Sequence, residues 1–175
     1  MRAARALVLI ALAGCGADLQ VDRVCVTSPS YTVASTRVPG VTTAPLPPIL
    51  LAFTMGSAIP DLTRSGVHDV HVLFRSIALD STQSTAFVTT LTVKAVPPFG
   101  STLSKATLGT YQRPAAGAGT SIEVTSDGTD VFPYLQSGRL VLELSGAIDP
   151  SQAPSGTFTA GAQFCAEVQG SVSYL

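Results

Sequence analysis

The sequence predicts an all-β protein, namely an antiparallel β-sandwich of the immunoglobulin-like or jelly-roll-like kind. Of the 175 residues, 38 are Ser or Thr and 18 are Val, and these residue types favour strands and turns over helices. Apolar and polar residues alternate in short runs separated by clusters of Gly, Pro, Asp and Ser, which is the pattern of half-buried strands. No stretch keeps an apolar period of about 3.6 residues with capping residues at its ends.

The overall composition sets the size of the protein and excludes several classes. A chain of 175 residues accommodates one domain, and its 46% apolar content is far above that of disordered chains. Only 12% of the residues are charged and the formal net charge is −1, so no basic surface is available to neutralise phosphates. We therefore expect one folded domain with no nucleic-acid partner.

The first segment of the chain reads as a leader. Arg2 and Arg5 form a short positive region, and Ala6–Ala13 is an unbroken apolar run of eight residues. Such a run is too short for a bilayer, which needs about 20 residues, but it has the length of a signal-peptide core.

The end of this run and the next two residues form Leu12-Ala13-Gly14-Cys15, which resembles the lipobox of bacterial lipoproteins. The resemblance implies cleavage before Cys15, a diacylglycerol thioether on its thiol and acylation of the new amino terminus. Lipid attachment at Cys15 would then anchor the chain to a membrane, since two or three acyl chains make a stable anchor. In this family an Asp after the Cys commonly retains the protein at the inner membrane. Because Gly16 stands there, the resemblance implies the outer membrane.

The predicted organisation is therefore a signal peptide at 1–14, a lipid-anchor tether at 15–18 and a single β-sandwich domain at 19–175. The short tether would hold the domain close to the membrane. Two other interpretations of the leader stay open: an ordinary secretory signal that happens to precede a Cys, and a cytoplasmic protein with an apolar amino terminus.

Nine strands are predicted in the mature domain, and connections rich in Pro, Gly, Asp and Ser separate them. Their ranges are Leu19–Val26, Tyr31–Val38, Ile49–Thr54, Val67–Leu79, Phe87–Val96, Thr102–Gln112, Ser121–Thr125, Leu140–Ile148 and Thr157–Tyr174. We expect a bulge or bend in the last strand at Gly161 or Gly170. Pro45-Leu46-Pro47-Pro48 is predicted to be a rigid crossover between strands, with presentation of a polyproline II segment as the alternative.

One short helical turn is predicted at Asp130–Leu135, with Asp130 as its N-cap and Gly138 as its end. The stretch from Asp130 to Leu144 resembles late strands of uncharacterised bacterial β-sandwich lipoproteins, a resemblance that implies no particular activity.

The two remaining cysteines, Cys25 and Cys165, lie in strand-like surroundings near the two ends of the domain. Outside the cytoplasm disulfides persist, so we predict a Cys25–Cys165 bond that closes nearly the whole domain. Two buried free thiols are the alternative.

The two histidines, His68 and His71, belong to one predicted strand. Strict alternation would place His71 with Asp69 on one face and His68 on the other, so that the imidazoles could share a metal ion only if a bulge intervened. We read these residues as polar positions on a half-exposed strand and predict no metal site, because zinc sites need three or four ligands. His71 oriented by Asp69 is the one candidate general base.

The loop with Asp127 and Asp130 could supply two carboxylates to calcium, but loops with Asp-Gly are far more often plain turns. The common nucleophile and zinc-hydrolase motifs do not occur in the sequence. We therefore predict a protein that is not an enzyme and has no cofactor.

The expected function is that of a lipid-anchored cell-envelope protein with a structural or protein-binding role and another envelope protein as its partner. Two alternatives stay open. One is a carrier of a small apolar ligand in a β-barrel, and the other is an adhesin-like module.

Overall fold

The computed structural model describes residues 11–12, 16–34, 37–55, 67–115, 119–126, 128–136 and 138–173. Its strands are β1 (Ala11–Leu12), β2 (Gly16–Thr27), β3 (Tyr31–Val33), β4 (Ala44–Thr54), β5 (Val67–Ser81), β6 (Val88–Ala95), β7 (Ala106–Gln112), β8 (Ser121–Thr125), β9 (Arg139–Ile148) and β10 (Phe158–Ser173). One 3₁₀ turn, Phe132–Tyr134, precedes β9. Within the described part of the chain, no helix has the length and apolar character needed to cross a bilayer.

The strands form two antiparallel sheets. The six-stranded sheet has the order β1-β2-β10-β5-β8, with β3 also pairing with β10, and the four-stranded sheet has the order β4-β9-β6-β7. The all-β sandwich that the sequence predicts is thereby confirmed.

The connectivity is that of a jelly roll rather than an immunoglobulin domain. Four nested pairs are hydrogen-bonded, namely β6–β7, β5–β8, β4–β9 and β2–β10, so the chain runs as one long hairpin whose two arms are rolled up together. Successive pairs alternate between the two sheets. Within the six-stranded sheet the two nested pairs are joined by the pairing of β10 with β5, and within the four-stranded sheet by the pairing of β6 with β9. Eight strands wound in this way are the jelly-roll form of the sandwich.

Alternating apolar residues on the inner faces fill the space between the sheets. Phe53 from the four-stranded sheet lies 5.6 Å from Phe164 of the six-stranded sheet, and Phe74 lies 5.5 Å from the same ring, measured between ring centroids. All three side chains are buried. Aromatic pairs at these separations contribute packing energy beyond the area they bury.

Two glycines allow strands to approach more closely than side chains would permit. A Cβ at Gly146 on β9 would lie 2.1 Å from the carbonyl oxygen of Thr90 on β6. A Cβ at Gly109 on β7 would lie 2.7 Å from Val124 on β8, where the edges of the two sheets meet. The strands can pack at these distances only because these two positions carry no side chain.

Most strand positions agree with the prediction, but the segment from Pro45 to Pro48 does not. It belongs to β4, and the pairing of β4 with β9 shifts register between Leu46 and Ile49. Because β4 is an edge strand, its prolines need no hydrogen-bond partner on the open side. The prediction of a crossover there was wrong. The strand predicted at Tyr31–Val38 is observed as β3, which ends at Val33.

Strand β10 contains the predicted irregularity near Gly170, since its pairing with β5 shifts between Gln169 and Ser171. A second shift lies between Cys165 and Ala166. At Gly161 the register with β5 is continuous.

Candidate functional site

The predicted lipid-attachment residue, Cys15, lies outside the described residues. Strand β2 begins at the next position, and Gly16 pairs with Ser173 at the end of β10. Residues 16–18, which we expected to be a tether, are therefore part of the sheet.

The first residues of β2 belong to a ribbon that projects beyond the packed core. The last fully enclosed inner-face residues are Val21, Val72 and Val168. Beyond them, residues 16–20, 67–71 and 169–173 continue as three paired strands, and no side chain described in them is buried. At about 3.3 Å per residue, five residues span about 16 Å. Gly16 thus stands about that far from the nearest part of the core.

The predicted disulfide is confirmed. Cys25 on β2 and Cys165 on β10 are directly opposed in the register, with a Cα–Cα distance of 4.1 Å, and their sulfurs are bonded. Their sequence separation is 140 residues. The bond joins the strand that follows Cys15 to the central strand of the six-stranded sheet.

Next to the disulfide, the outer face of the six-stranded sheet carries a buried carboxylate. Glu167 is 8% exposed, and its Oε2 accepts hydrogen bonds from the Nε and Nη2 of Arg75, the former at 3.0 Å. Its Oε1 accepts from the amides of Gln169 at 2.6 Å and Gln20 at 3.4 Å. The four residues come from three adjacent strands. This cluster was missed from the sequence, because Glu167 occupies an outward position in the alternation and nothing local marks it as enclosed.

The hydrogen bonds from Arg75 and then from Gln169 hold the pKa of Glu167 below its ordinary value, against the opposing effect of burial. The carboxylate is therefore charged at neutral pH and fully occupied by its neighbours. This arrangement stabilises the sheet and leaves no proton at Glu167 for transfer.

The prediction that His68 and His71 lie on opposite faces was wrong. His68 pairs with Ser171 and His71 with Gln169, so three steps along β5 match two steps along β10. The extra residue forms a bulge at which Asp69 adopts φ +51°, a left-handed conformation that alternation alone does not reveal. Both histidines therefore lie on the outer face of the ribbon. Within the described ranges, no group of three or more His, Cys, Asp or Glu residues could hold a metal ion.

His71 has a partner other than the predicted one. Its Nδ1 lies 2.8 Å from Oδ2 of Asp130, while Oδ1 of Asp130 accepts hydrogen bonds from the backbone N–H groups of Val72 and Phe132. The N-cap of the 3₁₀ turn is Val131, so the assignment of Asp130 as N-cap was wrong. Asp130 instead fastens the loop before β9 to β5. Asp127, the other carboxylate of the calcium alternative, lies outside the described residues.

The outer face of the four-stranded sheet is different in character, since it carries exposed apolar side chains. A surface cleft of about 340 Å³ lies here, and we refer to it as the apolar cleft. Its lining residues are Leu50, Ala52, Val96, Pro97, Pro98, Phe99, Tyr134, Gln136, Arg139 and Val141. Phe99 is 99% exposed and Leu50 is 62% exposed. Phe99 stands beside Gly100, whose φ of +80° makes the turn between β6 and β7.

No family model and no curated protein matches this chain. Among solved structures, the capsid protein of BFDV, in a decameric crystal structure, is similar at 9% identity with a TM-score of 0.40, covering 85% of this chain and 98% of that one. A nora virus structure is similar at 13% identity with a TM-score of 0.31, covering 98% of this chain and 66% of that one. A tomato aspermy virus structure is similar at 9% identity with a TM-score of 0.24, covering 79% of this chain and 76% of that one. At these TM-scores the likeness carries no argument about function.

Proposed function

We propose that this chain is a lipid-anchored protein of the bacterial cell envelope, held at the outer membrane through Cys15, and that it binds another envelope protein without catalysing a reaction. The observation that carries the proposal is the position of the lipobox-like residues. Leu12 to Cys15 stand at the end of a basic and apolar segment, immediately before the first residue of β2.

The geometry around β2 supports anchoring at this point. After cleavage the chain would pass from the lipidated residue directly into the ribbon, with no flexible linker between them. The ribbon would act as a rigid spacer of about 16 Å between the lipid surface and the sandwich. The disulfide would join this anchored strand covalently to β10.

A binding role is supported by the apolar cleft. Large apolar side chains exposed together on a soluble domain are typical of surfaces that contact another protein. Leu50 and Phe99 also lie outside the core, so their apolar character contributes little to folding. The cleft is on the outer surface of a sandwich whose interior is filled, which supports a protein partner over a ligand enclosed between the sheets.

The contacts of His71, the candidate general base, favour a structural role over a catalytic one. Asp130 uses both carboxylate oxygens to hold His71 and two backbone amides, and these bonds link the loop before β9 to β5. We propose that this pair stabilises the loop.

Fractionation of a bacterium with two membranes tests the anchor. The wild-type protein should be found in the outer membrane, and Cys15→Ser should lose membrane association. Gly16→Asp is the matched variant, since the family resemblance implies that Asp at this position redirects the protein to the inner membrane. Membrane association of Cys15→Ser equal to that of the wild type would refute the anchor.

A further inference from the structure

The two sulfurs of the Cys25–Cys165 bond are not equivalent. Cys25 is exposed on the outer face of the six-stranded sheet, whereas Cys165 is only 2% exposed. An external thiolate must approach a disulfide sulfur along the line of the S–S bond, so access decides which sulfur is attacked. Here the accessible cysteine is Cys25, which makes Cys165 the leaving group.

The surroundings of Cys165 suit a leaving thiolate. The Nη2 of Arg23 lies 3.9 Å from its Sγ, and a neighbouring guanidinium stabilises a thiolate over a thiol. Other charged groups on this face include Glu167, two residues along β10, Arg75 on β5 and the exposed Glu123 on β8. Because Arg75 pairs with Glu167, the negative charge of Glu167 already has its own partner, and Arg23 lies beside the sulfur of Cys165.

We propose that Cys25 is a site of directional thiol–disulfide exchange with the thiolate of a dithiol protein in the envelope. The partner's thiolate attacks Sγ of Cys25 and forms a new S–S bond, while the electron pair of the old bond leaves on Sγ of Cys165. The product is a mixed disulfide between Cys25 and the partner, with Cys165 as a thiolate held by Arg23. A second partner thiolate then attacks the partner's own sulfur in the mixed disulfide and releases Cys25 as a thiolate. The partner is oxidised to a disulfide, this chain gains two thiols, and their protons come from solvent.

The fold provides for this exchange without separation of the strands. Backbone pairing of β2 with β10 extends on both sides of the bond, from Gly16 to Thr27. Opening of the disulfide therefore leaves β2 in the sheet. The proposal concerns only these two cysteines and holds whether or not Cys15 is lipidated.

Peptide mapping after exchange with glutathione tests the direction. The protein is purified from cells in detergent, its free thiols are blocked with iodoacetamide, and it is then treated with glutathione under native conditions. N-ethylmaleimide stops the reaction and labels the thiol that was released. We expect glutathione on Cys25 and the maleimide on Cys165. Glutathione on Cys165, an equal division between the two, or no adduct on the folded protein would overturn the proposal.

The rate of adduct formation tests the role of Arg23. A leaving thiol with a higher pKa leaves more slowly, so Arg23→Gln should lower the rate by about threefold or more. Arg23→Lys should keep most of the rate, and Lys94→Gln, which removes a positive charge on the other sheet, is the matched control. Near-ultraviolet circular dichroism confirms that each variant remains folded. A rate for Arg23→Gln equal to that of the control would overturn the assignment of Arg23.

Discussion

The outer faces of the two sheets differ in which side chains they enclose and which they expose to solvent. On the six-stranded sheet, polar groups are enclosed and satisfied: Glu167 is 8% exposed and bonded to three neighbouring side chains, and the disulfide lies beside it. On the four-stranded sheet, apolar groups are exposed, with Phe99 almost completely in solvent. The first face therefore contributes to the stability of the domain, while the second contributes little to it and is available to a partner. Polarity alone therefore does not reveal which surface residues stabilise the fold.

Removal of the disulfide should have the largest effect on the first face. The double variant Cys25→Ala, Cys165→Ala opens a loop of 140 residues, and the chain-entropy account predicts a loss of about 4–5 kcal/mol in the free energy of unfolding. Urea denaturation of the variant beside the wild type measures this loss. A loss below about 1 kcal/mol would show that β2 is held by its backbone pairing alone.

The same truncation at two phenylalanines compares the core with the exposed face. Phe164→Ala removes a ring that contacts Phe53 and Phe74, and it should cost about 3–5 kcal/mol. Phe99→Ala should change the free energy of unfolding by less than about 0.5 kcal/mol. Denaturation midpoints of the two variants provide the measurement, and a large loss for Phe99→Ala would contradict the separation of roles.

A methyl group added at Gly146 should cost less than loss of the ring. Gly146→Ala brings a Cβ against the carbonyl of Thr90, and overpacking of this kind costs about 1–3 kcal/mol. Gly156→Ala is the matched control, since nothing lies within 4 Å of its Cβ position. Equal thermal midpoints for the two variants would show that β9 and β6 can separate at this point.

Acid should weaken the first face through Glu167. The hydrogen bonds from Arg75 and Gln169 lower the pKa of this carboxyl in the folded protein, so its stabilising contribution is present above the ordinary Glu pKa. The contribution is lost as the pH falls through the lowered folded-state pKa. Glu167→Gln should therefore reduce stability at neutral pH and lose less stability on acidification than the wild type does. Urea midpoints between about pH 3 and pH 7 measure this, with the exposed Glu123→Gln as control. An acid dependence unchanged by Glu167→Gln would refute the role of Glu167.

The sequence predicted the elements well where local chemistry decides them. Alternation and turn residues located Ser121–Thr125 at its observed bounds, and strand-like surroundings near both ends of the domain correctly paired Cys25 with Cys165. The sequence-based prediction failed where pairing with a neighbouring strand determines the local structure. The bulge at Asp69 arises from pairing with β10, and the prolines of β4 are tolerated because that strand lies at an edge.

The candidate site was harder to predict than the fold for the same reason. Glu167 is enclosed by side chains from β2 and β5, which lie 92 or more residues away in the chain. The exposure of Phe99 likewise depends on how the turn after β6 is placed on the four-stranded sheet. Such positions acquire their character only when distant strands meet.

Lipid anchoring at Cys15 can be tested by mass spectrometry of the intact protein from the membrane fraction, non-reduced and alkylated. We predict a chain that begins at Cys15, carries added acyl mass and takes up no alkylating reagent, beside a Cys15→Ser variant that lacks the acyl mass. A wild-type protein without acyl mass, with a free thiol at Cys15, would refute lipid attachment at this residue.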